Sequence, residues 1–235
     1  MGGESEIMTQ NEYSAFINGV DIADFGALVE SYVIGGVPFN NTIYQGRNRT
    51  SFQELSYQIG LRPITLNLFF AAASQHELAM HKSQLDAQMV GKFEIRLPDG
   101  FLYSCIVEEI GAVQMLGQEG NQMIAQSAYT LQGIRHDPLR TVTGNTILVE
   151  GTAPRMDARL KCVTTAARAT LQMGPVTFAS VPKGATVIAD GIDGVLTVNG
   201  VNVIPSFESL PYVVPGRQTI TCPETLTIEY YPVWI

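Results

Sequence analysis

The sequence predicts a mainly β protein of two domains with one α-helix. Of its 235 residues, 46% are apolar and 15% are charged, a composition too apolar for a disordered chain and too weakly charged for a coiled coil. Apolar and polar residues alternate along many short segments, as they do in strands with one buried face. Helical periodicity is convincing in one segment. At ~100 to 200 residues per domain, the length favours two domains.

The first half opens with a predicted β-hairpin. Short apolar runs flank Asn18-Gly19, the residue pair that best tolerates the positive φ angles of a type I′ turn. Strands are then predicted over residues 29–36 and 52–59, where β-branched and aromatic residues are frequent. The most regular alternation follows, with apolar side chains at Ile64, Leu66, Leu68 and Phe70.

Residues 74–90 are predicted to form the helix. Ser74 and Glu77 make a capping box, in which the Ser74 hydroxyl accepts from the Glu77 amide and the Glu77 carboxylate accepts from the Ser74 amide. Gly91 is expected to end the helix, because glycine favours the left-handed conformation that follows a helix C-terminus. The apolar face is predicted to contain Leu78, Leu85 and Met89.

A second hairpin is predicted after the helix. Alternating apolar residues over 93–97 and 101–107 flank a Pro-Asp-Gly turn at 98–100. Two further strands, separated by a turn, are predicted over 112–116 and 123–131. The first half therefore consists of strands and hairpins around a single helix.

A domain boundary is predicted near His136, because the alternation lapses there and residues 141–145 are small and polar. We therefore expect a polar leader at 1–12, one domain at 13–140 and a second at 141–235. Short strands separated by turns, without a convincing helix, predict an antiparallel sandwich for the second domain. Its strands are expected at 146–149, 158–163, 169–172, 185–189, 195–198, 201–204, 218–221 and 226–231.

The charge balance and the cysteines limit the partners and the compartment of the protein. With 14 Lys and Arg against 22 Asp and Glu, the net charge is −8, so neither nucleic acid nor an anionic membrane is an expected binding ligand. Three widely spaced cysteines predict neither a disulfide framework nor a zinc site, which favours a reducing compartment. Residues 1–11 lack the features of a signal peptide, so we expect synthesis in a cytoplasm and no membrane anchoring.

The sequence lacks a usable catalytic or metal-binding motif, so we expect no enzymatic activity and no cofactor or metal. His76 and His81 approach a zinc-protease helix motif, but their i, i+5 spacing places the two rings roughly 140° apart on a helix. The segment from Asp190 to Gly194 lacks the alternating carboxylates of a calcium loop and is expected to be a turn.

Two sets of residues are candidate contact sites. The first set is aromatic, suits a sugar ring or a partner protein, and consists of Tyr212, Tyr231 and Trp234. The second set is acidic and lies within residues 97–134, a segment without Lys or Arg: Asp99, Glu108, Glu109 and Glu119. Such a segment is either a solvated acidic face or a surface that does not hold a polyanion.

The order of these features resembles the distal tail protein (Dit) family of long-tailed, siphovirus-type bacteriophages. The resemblance rests on the Phe16-Ile17-Asn18-Gly19 opening with Gly26 after it, the capped helix, the hairpin at 98–100, and the segments 199–216 and 226–234. It implies an N-terminal tail-tube-like β-barrel or sandwich with one helix, which builds a ring. It also implies a C-terminal galectin-like antiparallel β-sandwich.

The resemblance further implies a structural role in the virion. Six copies would form a ring that joins the tail tube to the baseplate or tail-tip hub, with DNA as passing cargo. The partners would be the chain itself, the tail-tube protein and the tail-tip hub protein. Some of the acidic residues Asp99, Glu108, Glu109 and Glu119 are then expected to face the lumen. Two alternatives stay open: a lectin-like carbohydrate-binding module, and a tail-tube or hub subunit.

Overall fold

A computed structural model of the chain describes residues 14–44 and 53–235. The chain divides into two compact units, Met1–Arg135 and His136–Ile235, and each has its own hydrophobic core. Both units are built mainly from antiparallel strands, so the predicted mainly β fold class is confirmed. Within the described ranges, no helix is long and apolar enough to cross a membrane.

The first unit contains ten strands, one 3₁₀ helix (Ile22–Phe25) and one α-helix among its described residues. In chain order they are β1 (Phe16–Ile17), β2 (Val20–Asp21), β3 (Ala27–Ile34), β4 (Phe39–Tyr44), β5 (Gln53–Ile59), β6 (Arg62–Ala72), α1 (Gln75–Gln88), β7 (Phe93–Arg96), β8 (Leu102–Ile110), β9 (Gln114–Glu119) and β10 (Gln122–His136).

One eight-stranded sheet dominates this unit. Its strand order is β2-β1-β7-β8-β10-β6-β3, and β9 pairs with the beginning of β10. Asn18 and Gly19 have φ angles of 51° and 81° between β1 and β2, which confirms the predicted hairpin turn. The second predicted hairpin is also present as β7 and β8. The strands β4 and β5 form a separate two-stranded sheet.

The helix covers one face of this sheet. The buried side chains of Leu78, Leu85 and Met89 confirm the predicted apolar face. The Ser74 hydroxyl accepts from the Glu77 amide at 3.2 Å, as predicted, but the Glu77 carboxylate accepts from the Ala73 amide at 2.9 Å rather than from the Ser74 amide. The helix ends at a Met89 cap, before the expected glycine, because the Met89 amide donates to the Asp86 carbonyl.

A buried polar contact fixes which face of the sheet the helix covers. The Tyr129 hydroxyl of β10 donates to the Asp86 carboxylate at 2.8 Å, and Lys82 donates to the same carboxylate at 2.7 Å. Burial and the neighbouring carboxylate raise the pKa of Tyr129 above its ordinary value, so the phenol stays a donor. The opposite face of the sheet is therefore the one that remains available for contacts.

The second unit contains twelve strands. They are β11 (Arg140–Thr143), β12 (Thr146–Val149), β13 (Met156–Val163), β14 (Arg168–Met173), β15 (Val176–Val181), β16 (Thr186–Asp190), β17 (Leu196–Val198), β18 (Val201–Asn202), β19 (Ser206–Phe207), β20 (Tyr212–Val213), β21 (Gly216–Thr219) and β22 (Thr227–Tyr230).

These strands form three antiparallel sheets around one core. The largest has the order β11-β22-β13-β16-β17-β18, with β20 also pairing with β13. The smaller sheets are β12-β21 and β14-β15-β19. All eight predicted strands are present, whereas β11 lies where a polar boundary was expected. It is a strand because all four of its residues pair with β22, a long-range contact that local polarity does not reveal.

The junction between β16 and β20 leads to the first testable prediction. A methyl group on Gly191 would lie 2.1 Å from the Pro211 carbonyl oxygen and 3.0 Å from that of Ala158, so we expect Gly191→Ala to lower the free energy of unfolding of the second unit by about 3 kcal/mol. Urea unfolding followed by Trp234 fluorescence measures this unit, because Trp234 is the only tryptophan.

The matched control is Gly36→Ala, since a methyl group there meets no atom within 4 Å. We expect the control to unfold at the same urea concentration as the unsubstituted protein. Equal midpoints for all three proteins would contradict the close approach at Gly191.

Candidate functional site

The acidic residue Asp99 holds a turn together. Its carboxylate accepts from the Phe101 amide at 3.0 Å and from the Tyr103 hydroxyl at 2.8 Å. Burial of Tyr103 and this hydrogen bond raise the pKa of the phenol above its ordinary value. Asp99 is exposed, but its carboxylate stabilises the turn that precedes β8.

The other three predicted acidic residues lie on β8 and β9, which are both neighbours of β10 in the sheet. Glu108 and Glu109 are neighbours on β8, so they point to opposite faces of the sheet. Glu109 shares a face with the buried side chains of Tyr103 and Cys105 but lies beyond the core. Glu108 is on the opposite face of β8, the outward face. Glu119 is on the same outward face, because it pairs with Gln122, which alternates with the inward-facing residues of β10. All three are exposed.

The outward face of β3, β6, β8, β9 and β10 carries both polar and apolar side chains and is free of cations over its described residues. Alternate residues of β6 and β10 are buried on the inner side, which assigns the intervening residues to the outer side. Glu30 joins Glu108 and Glu119 on this face and accepts a hydrogen bond from the Gln126 amide. The uncharged polar residues of the face include Ser31, Thr65, Asn67, Gln126, Thr130 and Gln132.

Sequence reasoning missed Glu30. The cation-free segment began at residue 97, whereas Glu30 lies on β3 and reaches the same face through the pairing of β3 with β6 and of β6 with β10. Glu30 is placed on this face by the order of strands in the sheet. That order depends on contacts between distant parts of the chain, so it is not evident in the sequence.

Three strands of this sheet, β2, β3 and β9, have an open edge over the described residues. Among the described residues, β3 pairs only with β6 and β9 pairs only with β10. Each carries an exposed leucine, Leu28 with 46% and Leu116 with 47% of its surface accessible. The two leucines, with Phe69 and Ile124, line a mostly apolar groove of about 520 Å³. Open edges and exposed apolar surface are the features by which strands of separate molecules pair.

The hairpin formed by β4 and β5 is a third exposed surface. Its strands pair with each other and, within the described residues, with no other strand. Phe39, Ile43 and Tyr44 are each more than half exposed. Apolar side chains gathered on one exposed element indicate a contact surface rather than scattered surface residues.

The predicted aromatic set is partly engaged within the second unit. The Arg155 guanidinium lies 3.9 Å from the centre of the Tyr212 ring, and the Tyr231 ring meets His136 edge-on at 4.9 Å. Trp234 is half-buried, as are both tyrosines. One face of Tyr212 is therefore occupied by a cation, which leaves less aromatic surface for a sugar than the sequence suggested.

The segment at Asp190 is a turn, as expected. The Asp190 carboxylate accepts from the amides of Ile192 and Asp193 at 2.9 and 3.1 Å. Arg159 donates to Asp190, to Asp193 at 2.8 Å and to Glu229 at 2.9 Å, and Asp190 and Glu229 raise the pKa of the guanidinium. One arginine therefore pairs with all three carboxylates.

The histidines of the near-motif differ in environment. His76 is exposed and His81 is half-buried, in keeping with the angle that their spacing imposes on a helix. Across the part of the chain that the structure describes, no group of three or more His, Cys, Asp or Glu residues is arranged to hold a metal ion.

Comparison with known proteins identifies solved structures of similar architecture. No protein-family profile matches the chain, and no curated protein sequence matches it. Among solved structures, the Dit (gp 19.1) protein of phage SPP1, described as a paradigm of the hub adsorption apparatus in Gram-positive infecting phages, aligns with a TM-score of 0.69 at 11% identity over 95% of this chain and 99% of that one. This chain has the distal tail protein fold. The resemblance predicted from the sequence is confirmed at that level.

Two further solved structures are similar in fold to this chain. The baseplate of phage P2 in its activated conformation with Ca aligns with a TM-score of 0.53 at 8% identity, covering 90% of this chain and 92% of that one. The same baseplate with Sr aligns with a TM-score of 0.56 at 8% identity, covering 93% and 97%. The likeness spans both units of the chain, although the sequences have diverged almost completely.

Proposed function

We propose that the protein is a structural component of a phage tail, in which six copies form a closed ring. The ring joins the tail tube to the baseplate or tail-tip hub, and DNA passes through its lumen. The copy number and the neighbours come from the resemblance to distal tail proteins. The observation that carries the proposal is the pair of open edges, β3 and β9, on either side of the four neighbouring strands β9-β10-β6-β3.

The two edges support a ring because they are different surfaces. When the β3 edge of one copy pairs with the β9 edge of the next, the β9 edge of the first copy and the β3 edge of the second copy stay open. Such head-to-tail contacts close into a ring if the rotation between copies allows it. The exposed Leu28 and Leu116 supply apolar surface at these two edges, and strand pairing supplies backbone hydrogen bonds.

The cation-free face supports a channel for DNA. If the sheets of successive copies line the lumen with their outward faces, each copy presents Glu30, Glu108 and Glu119 there, together with uncharged polar and apolar side chains. Phosphates bind where cations neutralise them, so a face without cations lets DNA slide past. Within this proposal Asp99 holds the β7–β8 turn, and Glu109 lies on the other face of β8.

Light scattering combined with negative-stain imaging tests the proposal. We expect a particle of six times the chain mass of 25.6 kDa, with an open centre in projection. A purified protein that stays monomeric with and without the tail-tube and hub proteins would overturn the ring. Long tubes instead of one or two stacked rings would favour a tail-tube subunit, and stabilisation of a monomer by sugars would favour a lectin-like module.

A further inference from the structure

Two cysteines of the second unit lie side by side. Cys162 is on β13 and is buried, and Cys222 follows β21 and packs against the same core. The Cys162 Sγ is 3.8 Å from the Met173 Sδ, and the amide of Gly174 donates to the carbonyl of Thr221 at 2.8 Å. These contacts bring the two cysteines together, although sixty positions separate them in the sequence.

The thiols of Cys162 and Cys222 perturb each other's ionisation. The Cys162 side chain lowers the pKa of Cys222, and the Cys222 side chain, together with burial, raises the pKa of Cys162. A backbone amide at Glu224 and the nearby Arg168 also stabilise the Cys222 thiolate. Cys222 is therefore the thiol that ionises first and reacts as the nucleophile.

The backbone around Cys222 is held in place by a single side chain. The Asn145 amide donates to the carbonyls of Cys222 and Glu224 at 2.8 and 3.0 Å, and its oxygen accepts from the Leu226 amide at 3.0 Å. Asn145 lies between β11 and β12, so these bonds fix the position of the segment that carries Cys222 in the folded protein.

We propose that Cys162 and Cys222 join in a disulfide bond once the folded protein meets an oxidising medium. The oxidant is a small-molecule disulfide such as glutathione disulfide. The Cys222 thiolate attacks it, which breaks its S–S bond and releases one glutathione thiolate. Cys162 then loses its proton to solvent and attacks the mixed disulfide at Cys222, releasing the second. Both released thiolates take up protons at neutral pH, so two protein thiols and one disulfide become one protein disulfide and two thiols.

The bond would act as a staple within the second unit. It closes a loop that contains most of the strands of this unit, and cross-linking a long loop stabilises a fold by restricting its unfolded chain. For a unit of this size we expect the midpoint of thermal unfolding to rise by roughly 10 °C. Cys105 does not take part, because it is buried in the core of the first unit and burial raises its pKa to about 12.

The test compares the protein after incubation with glutathione disulfide and after incubation with dithiothreitol. Thiol titration in denaturant should give one thiol per chain after oxidation and three after reduction. Peptide mapping should identify a link between Cys162 and Cys222, and the oxidised form should melt higher. Three titratable thiols after oxidation, or a link that includes Cys105, would overturn the proposal.

Two single variants make the result specific. Cys222→Ser should keep two thiols under both conditions and show no difference in melting between them, a comparison unaffected by any loss of stability in the variant itself. Cys105→Ser should still lose two thiols on oxidation. The assay measures single chains, so it gives its answer whether or not the protein forms a ring, and failure of either idea is recognised separately.

Discussion

Replacement of both Leu28 and Leu116 by lysine is expected to convert the ring into monomers. In the proposed contact these two residues bring apolar surface to the β3 and β9 edges, and a lysine there would place an ammonium group in a contact that excludes water. Lysine on an edge strand is also a common natural means of preventing strand pairing. The mass measured by light scattering should fall from six chains to one.

The double variant should still fold, which separates a lost contact from a lost structure. Both leucines are almost half exposed, so their replacement should change the free energy of unfolding by no more than about 0.5 kcal/mol each. Leu148→Lys is the matched control, because Leu148 is 71% exposed and belongs to β12 of the second unit. Intact rings from the double variant would show that other surfaces, such as the β4–β5 hairpin, hold the copies together.

Elements with a local signal were predictable from the sequence. The Asn18-Gly19 turn needs two consecutive positive φ angles, which few other pairs adopt easily, and both angles are present. The helix was predictable because its cap and its apolar spacing lie within one short segment. In such elements the neighbours in the chain decide the conformation, so the pattern alone is informative.

Elements decided by distant contacts were not predictable. The strand Val176–Val181 lies between Pro175 and Pro182 and is absent from the strands expected from the sequence, but it pairs along its length with β14. The strands Phe39–Tyr44 and Arg140–Thr143 are polar or exposed over much of their length, so neither shows the alternation of a half-buried strand. Their partners become evident only when the sheet is assembled.

The candidate site shows the same division. Asp99 could be placed in a turn from its neighbours Pro98 and Gly100, and its hydrogen bonds are indeed local. Glu30 could not be grouped with Glu108, because their common face exists only through the strand order of the sheet. The open edges are likewise a property of the assembled sheet.

Reversal of three charges on the outward face is expected to make the ring hold DNA. In the triple variant Glu30→Lys, Glu108→Lys and Glu119→Lys, every copy would present three ammonium groups to the lumen. Rings of the unsubstituted protein should not retain linear duplex DNA even at low salt, whereas rings of the variant should. Because phosphate contacts release counterions, the affinity of the variant should fall on the order of 1,000-fold between about 50 and about 200 mM salt.

The position of the lysines, rather than the net charge, must decide this result. The control variant Asp24→Lys, Asp157→Lys and Glu208→Lys changes the net charge by the same amount at exposed sites off the outward face of the sheet. If the lumen is lined as proposed, the control rings should retain far less DNA than the triple variant, since scattered lysines do not surround the duplex. Equal retention by both variants would mean that DNA binds outside the ring, and the outward face would then lose its proposed role as a channel wall.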